Sequence, residues 1–344
     1  MRILAVIKRI IKQLLRDKRT LALLFIAPLF ILTLMYFFFG GETAVPDLGA
    51  VDIDEGLIRA LEEQEIYVIP FEEADRQLVI DRDLDGLLVS EGSELKLTLQ
   101  NDEPGIAKAL LAKISQAAVL QSSGQAQGAP PSGLIEADYI YGNEDTVFFD
   151  VLSPVLIGFF VFFFVFLISG IGLLKERMSG TLERLMATPI RKSELITAYL
   201  AGFGLFAVIQ TVIVVAFSIL VLDVVLAGSV WHVLLINLLL ALVALSLGIL
   251  LSTFAASEFQ MVQFIPLVVV PQIFFAGIFP VEGLADWLQA IGKVMPIYYA
   301  ADALKAVMYK GLGLDAILGD LLALVVFAAI FITLNIFALK RHRA

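Results

Sequence analysis

The chain has 344 residues, of which 59% are hydrophobic and 17% charged, with a net charge of −10. Soluble domains are about half apolar, so this excess points to a polytopic membrane protein rather than a soluble enzyme. Cysteine is absent and the histidines are His232 and His342, which excludes a disulfide framework and argues against a thiolate or histidine metal centre and a Ser-His hydrolase.

The charge is unevenly placed. Residues 41–150 carry 23 acidic against 6 basic residues, and the remainder carries 18 basic against 11 acidic. The basic residues flank apolar runs instead of forming a stripe with aromatics, so nucleic acid is not an expected partner.

Residues 1–20 are amphipathic at helical spacing, with Ile3, Ile7, Ile10 and Leu14 on one face. Lys8, Arg9, Lys12 and Arg16 fall mostly elsewhere. This predicts a cytoplasmic interfacial helix with its basic side on anionic headgroups. Residues 21–40 hold the first span. Its run is long for a signal-peptide core and lacks a small-x-small site, so it reads as retained.

The acidic block 41–150 alternates apolar strand-like runs (LGAVDID, IYVIPF, DGLLVS, ELKLTLQ) with helical ones (EGLIRALEEQ, EEADRQLVIDRD, EPGIAKALLAKISQAAVLQ). That pattern predicts a small α/β domain. QSSGQAQGAPPSG, 121–133, reads as a flexible linker, and LIEADYIYG as a return toward the membrane.

Residues 151–344 form a five-span region, with apolar runs near 151–174, 196–222, 231–253, 260–279 and 318–339. Each approaches the roughly 20 residues a helix needs to cross the hydrocarbon. The phenylalanines between 159 and 166 read as lipid-facing bulk. Gln210, Asn237, Ser246, Gln263, Gln272 and Asn335 read as helix-packing groups. Trp231 and Trp287 read as interface anchors, and 282–310 as short interfacial or re-entrant helices. Basic residues number 7 in the N-terminal segment, 5 in the 175–195 loop and 3 in the tail KRHR. With six spans these fall on one side, so both termini are expected in the cytoplasm and 41–150 outside it.

No GxxxxGK[ST] loop, HExxH or GxSxG occurs in the sequence, so no catalytic and no metal-ligating residue is assigned. The one deliberate polar stretch is KERMSGTLERLMATPIRKSEL, 175–195. Gly180 permits a turn, and Ser179 or Thr181 can cap a new helix. Glu183 suits its first turn, Leu182, Leu185 and Met186 share one face, and Pro189 stops it. Two turns do not stand alone in water. The segment is either a frayed positive-inside loop or a helix that needs a surface.

This stretch resembles the first cytoplasmic loop of ABC type-2 exporter permeases, matched at Glu176, Gly180, Thr181, Leu182, Glu183, Leu185 and Pro189. FFAGIFPVEGLADWLQAIGKVMPIYYAADALKAV is similar to the segment before that family's last span, at Gly277, Pro280, Trp287, Pro296, Tyr299 and Asp302. The resemblance implies a polytopic α-helical fold: six transmembrane helices, an N-terminal interfacial helix and an inserted extracytoplasmic α/β domain. It implies a plasma-membrane exporter of a drug, lipid, peptide or ion, paired with a second permease copy or paralogue. A separate ABC ATPase subunit would carry ATP and Mg, leaving this chain without a cofactor. In that family the helix at 181–188 is the coupling helix. Leu182, Leu185 and Met186 would be its apolar contact with the ATPase, and Glu183 and Arg184 its polar partners. The rival expectation is a membrane-anchored sensor or scaffold that binds a ligand with its outer domain.

Overall fold

In this computed structural model, residues 2–38, 46–64, 66–82, 84–91, 94–102, 104–123, 135–143, 146, 148–278 and 286–341 are described. In chain order the elements are α1 (Arg2–Arg16), α2 (Lys18–Phe38), β1 (Asp47–Val51), α3 (Glu55–Glu62), β2 (Tyr67–Pro70), α4 (Arg76–Asp81), β3 (Gly86–Glu91), β4 (Glu94–Leu99), α5 (Pro104–Ser123), β5 (Ile135–Tyr139), α6 (Phe148–Met178), α7 (Thr181–Met186), α8 (Lys192–Leu220), α9 (Val230–Ser252), α10 (Glu258–Ile273), α11 (Asp286–Gly292), α12 (Pro296–Met308) and α13 (Leu318–Arg341). Two compact units result, Met1–Tyr36 with Leu152–Ala344, and Phe37–Val151.

The unit Phe37–Val151 holds a five-stranded sheet in the order β2-β1-β3-β4-β5. Strand β1 pairs in parallel with β2 and β3, β3 is antiparallel to β4, and β4 is parallel to β5. Crossovers between parallel strands are right-handed, so the order 2-1-3 sends α3 and α4 to opposite faces. On one face Leu48, Leu88, Leu97 and Leu99 pack under Leu57 and Leu61 of α3 and Leu110 and Ile114 of α5. On the other, Val51 and Leu87 pack against Val79 of α4. The segment read as a plain return is strand β5. Its alternation of Ile135, Ala137 and Tyr139 with Glu136 and Asp138 is the period of a half-buried strand. Asn101, at φ 60°, donates to Tyr141 O (2.8 Å) and Asn143 O (3.3 Å) and fastens the chain beyond β5. Most of the segment read as a linker lies outside the described residues.

The other unit is helical. Six helices among the described residues are long and apolar enough to cross a membrane: Lys18–Tyr36, Phe149–Met178, Lys192–Leu220, Val230–Ser252, Glu258–Ala276 and Leu314–Ala338. They lie where the apolar runs predict them, and α6 and α8 extend several residues further into the polar loop between them. Helix α1 buries Val6, Ile10 and Leu14, so Ile10 and Leu14 of the expected face are packed, joined by Val6, while Ile3 and Ile7 are half-buried. Asp17 makes the joint to α2, accepting from the Thr20 hydroxyl (2.6 Å) and the Thr20 N–H (3.1 Å). These bonds hold its carboxyl below the usual range. The joint therefore stabilises above that range and loses its hold as pH falls through the lowered value.

Helix α6 is the most enclosed, with 89% of its most apolar stretch buried. Phe160, Phe162, Phe164 and Phe166 are buried, and Phe162 stacks on Phe166 at 6.1 Å. The phenylalanine run is therefore core packing, not lipid-facing bulk. Small residues bring α6 close to its neighbours. A Cβ at Gly248 of α9 would fall 2.2 Å from Ser169 Oγ and 2.5 Å from Phe166 O, and one at Gly170 would fall 2.1 Å from Met261 Cε of α10. Polar groups then tie helices together. Asn335 Nδ2 donates to Ser246 O (2.7 Å), and Gln210 Nε2 to Phe160 O (3.4 Å). The Ile297 N–H donates to Gln272 Oε1 (3.1 Å). Asn237 and the Ser246 hydroxyl bond their own helix instead, and Gln263 is exposed.

Helix α10 is the irregular one. Pro266 and Pro271 lie inside it, and a π-helical turn, Phe274–Ile278, follows. Each proline removes a donor and crowds the preceding turn. Beyond it, α12 packs into the helical unit. Pro296, Ile297, Ala300, Ala301, Ala303, Leu304, Val307 and Met308 are buried, because its small alanine face fits against α9 and α13. Pro280 and Gly283 lie outside the described residues.

Gly248→Ala is expected to lower stability by about 1–3 kcal/mol, because its new methyl meets backbone that cannot yield. Gly170→Ala is expected to cost less, since only the flexible end of Met261 must move. Thermal unfolding of the detergent-solubilised variants checks the order.

Candidate functional site

The loop 175–195 is built on the last turn of α6. Ser179 N–H donates to Lys175 O and Gly180 N–H to Arg177 O, so the helix holds to its end. Gly180 then adopts φ 67°, with open space where a Cβ would stand. This left-handed step ends α6 and begins α7 in one residue, a conformation glycine takes without steric cost. Neither Ser179 nor Thr181 caps α7, contrary to the expectation from sequence. Gly180 occupies the N-cap with no side-chain bond, and the two hydroxyls pair with each other at 2.9 Å. Glu183 lies in the first turn of α7, where the helix dipole favours an anion. The Thr188 hydroxyl donates to Leu185 O (2.6 Å), and Pro189 follows.

The short helix rests on its own chain. Leu182 is 4% exposed, and Leu185 and Met186 are half-buried. Thr181 is also half-covered. Glu183, Arg184, Ala187, Thr188 and Pro189 are exposed. The three apolar residues grouped by spacing therefore do not share one environment. At the far end, the Arg2 guanidinium donates to Pro189 O, tying the start of α1 to the loop.

Glu176, one position from the end of the apolar run, is 3% exposed. Its Oε2 accepts from both the Arg9 guanidinium of α1 and the Tyr199 hydroxyl of α8. A buried carboxylate needs a paired cation and hydrogen bonds to offset lost hydration. Arg9 and Tyr199 supply them. Lys8, Lys12 and Arg16 are exposed as the amphipathic reading predicts, and Trp231 and Trp287 are 75% and 67% exposed. Arg9 alone of that basic set turns inward. The neighbouring Arg177 points elsewhere, donating to Ser252 O and Ala255 O at the end of α9. The bond to Ser252 O satisfies a carbonyl the helix end leaves free, and the 3.1 Å bond reaches Ala255 O in the turn beyond it. Neither Arg9–Glu176 nor Arg177–Ser252 has a local sequence signature, since the partners lie 167 and 75 residues apart. A buried glutamate flanked by Lys175 and Arg177 was the only signal available. No group of His, Asp or Glu among the described residues is arranged to hold a metal ion.

Glu176→Ala is expected to cost about 3–5 kcal/mol, because it strands a partly buried cation. Tyr199→Phe removes one hydrogen bond, at about 1 kcal/mol. The paired change Arg9→Met with Glu176→Met should recover most of the loss. Thermal melts of the four proteins in one detergent give the ranking.

Comparison with known proteins bears on this architecture. The model of the family described as ABC-2 family transporter protein matches residues 18–337, from α2 through most of α13. ABC transporter G family member 20 of Dictyostelium discoideum is 27% identical over 176 residues, 51% of this chain and 24% of that protein. The probable multidrug ABC transporter permease YbhR of Escherichia coli (strain K12) is 26% identical over 199 residues, 58% of this chain and 54% of the relative. The inner membrane transport permease YhhJ of the same strain is 29% identical over 179 residues, 51% and 47%. The matched region thus spans a quarter to about half the length of these relatives. With nearly the whole chain matched and six membrane-length helices in place, the protein belongs to the ABC-2 family of transporter proteins, as a multi-helix membrane permease.

Proposed function

We propose that this chain is the membrane half of an ATP-driven exporter, and that a separate ABC ATPase subunit docks on the loop 175–195. The observation that carries this reading is α7 itself. A helix of 6 residues is buried at Leu182 and turns Glu183 and Arg184 outward, and Ala187 and Thr188 just beyond it are exposed as well. A helix this short is held by its packing more than by its own hydrogen bonds, and its exposed face between Gly180 and Pro189 is open to a partner's groove. Leu182 then anchors the helix to the permease, and the docking contact shifts to Glu183 and Arg184, with Leu185 and Met186 at its edge.

In this reading the basic ends of the bundle face the cytoplasm, where Lys and Arg accumulate in short loops. Both termini lie there, and the sheet-bearing unit 41–150 lies on the opposite side. ATP and Mg stay on the ATPase, and nucleotide-driven closure of two ATPase subunits under two permease chains supplies the work. The names of the bacterial relatives, a probable multidrug ABC transporter permease and an inner membrane transport permease, support transport across a membrane and leave direction and cargo open.

The test uses charge at the exposed face. Glu183→Lys with Arg184→Glu should leave the melting temperature within a few degrees, since exposed charges contribute little to stability. It should reduce ATPase recovered by pull-down from co-expressing membranes, and ATP hydrolysis coupled to transport, by about tenfold or more. Undiminished ATPase recovery and coupling would refute docking at this loop.

A further inference from the structure

We infer that Arg177 is a positioning residue that ties movement of α7 to the α9–α10 turn, and through it to the proline-broken helix α10. The inference rests on the coupling reading for its use, though not for its test.

Four observations converge. The last turn of α6 runs without a break in its hydrogen bonds to Gly180, so displacement of α7 reaches Arg177 within one turn. Arg177 and Glu176 are consecutive, and consecutive helical residues point to different faces. Glu176 grips α1 and α8, whereas Arg177 grips Ser252 O and Ala255 O. One rotation of that turn therefore acts on both sides of the bundle.

The gripped segment is itself stiff. The Ser252 and Thr253 hydroxyls bond back to Ile249 O (2.6 Å) and Leu250 O (2.7 Å). Ser257 Oγ accepts from Gln260 N–H (3.2 Å) and caps α10, while Gln260 Oε1 accepts from the N–H of Ala256 (2.7 Å), one residue before that cap. Ala255 is 1% exposed. A turn this well bonded moves as a body.

What lies beyond it is compliant. Helix α10 contains Pro266 and Pro271 and passes into a π-helical turn. Its outer part is held at the other end, where Gln272 bonds the first turn of α12. A shift at Ala255–Ser257 must then be absorbed between the two fixed ends, at the prolines. A mere cap on α9 would need one carbonyl contact and no rigid turn behind it.

The experiment is hydrogen–deuterium exchange on the full chain in lipid nanodiscs, read over peptides covering 251–262. Leu182→Ala empties the buried anchor of α7 and leaves the sequence of the turn unchanged. With Arg177 present it should raise exchange in 251–262 by about fivefold, the lower end of typical coupling between sites. Arg177→Gln should raise it alone, and adding Leu182→Ala to Arg177→Gln should raise it no further. Arg177→Lys keeps the charge and should restore part of the response, and it serves if Arg177→Gln does not fold. Independent, additive effects of the two substitutions would overturn the inference, as would no response of 251–262 to Leu182→Ala. A purely structural cap predicts that absence of response. None of these readings depends on the ATPase, so failure of ATPase docking is scored separately by the charge-reversal pull-down.

Discussion

The buried carboxylate of Glu176 constrains the helical unit more than any other single group. Taking an ion out of water costs several kcal/mol even after relaxation, so the fold must deliver a cation and a hydroxyl to one point. Arg9 arrives from α1 and Tyr199 from α8. That fixes the rotation of α1, which buries Val6, Ile10 and Leu14. It also fixes the close approach of Ile10 to Gly202, where a Cβ would stand 3.0 Å from the isoleucine. An amphipathic helix that could otherwise slide in a membrane surface is pinned to the bundle. The Arg2 bond to Pro189 O pins it a second time, at the loop.

Much of this was legible beforehand, and the reasons are local. Long apolar runs set six membrane-length helices, because an unbroken stretch of such residues has few other stable environments. Period-two and period-3.6 patterns set the strands and helices of the acidic unit. Gly180 marks the start of α7 because its backbone preference acts on one residue, whereas the helix stops at Met186, short of the limit that Pro189 sets. What the sequence leaves hidden shares a cause as well. Burial of the α6 phenylalanines, of α12 and of Leu182 depends on which helices surround them, and hydrophobicity does not distinguish lipid from protein. The split roles of Glu176 and Arg177 depend on partners far along the chain. A lysine-glutamate-arginine run at the end of a span reads equally well as a charged border.

The helical unit combines stiffness and compliance in different places. Around α6 the packing is tight, with aromatic side chains buried and glycines at close crossings. Interiors of this kind transmit displacement instead of absorbing it. Helix α10 is the contrast, with two prolines, a π-helical turn and exposed Phe259, Leu267 and Phe274 along its length. As a permease, the chain has to change shape in a membrane while keeping its backbone groups bonded. Placing two of the helix-internal prolines and a π-helical turn in α10, beside the single prolines of α2 and α6, and clipping that helix at both ends, is a physical solution to those two demands.

The hollow at Gly170 has a consequence for how such a sequence drifts. Met261 fills the space that a side chain at 170 would occupy, and Gly248 lies against the same turn of α6. Positions 170 and 261 therefore share one small volume, whereas a side chain at 248 would meet the backbone of α6. A larger residue at 170 is tolerable only with a smaller one at 261, so those two inherit change as a pair. Among homologues, residue sizes at 170 and 261 should trade against each other, while 248 stays glycine.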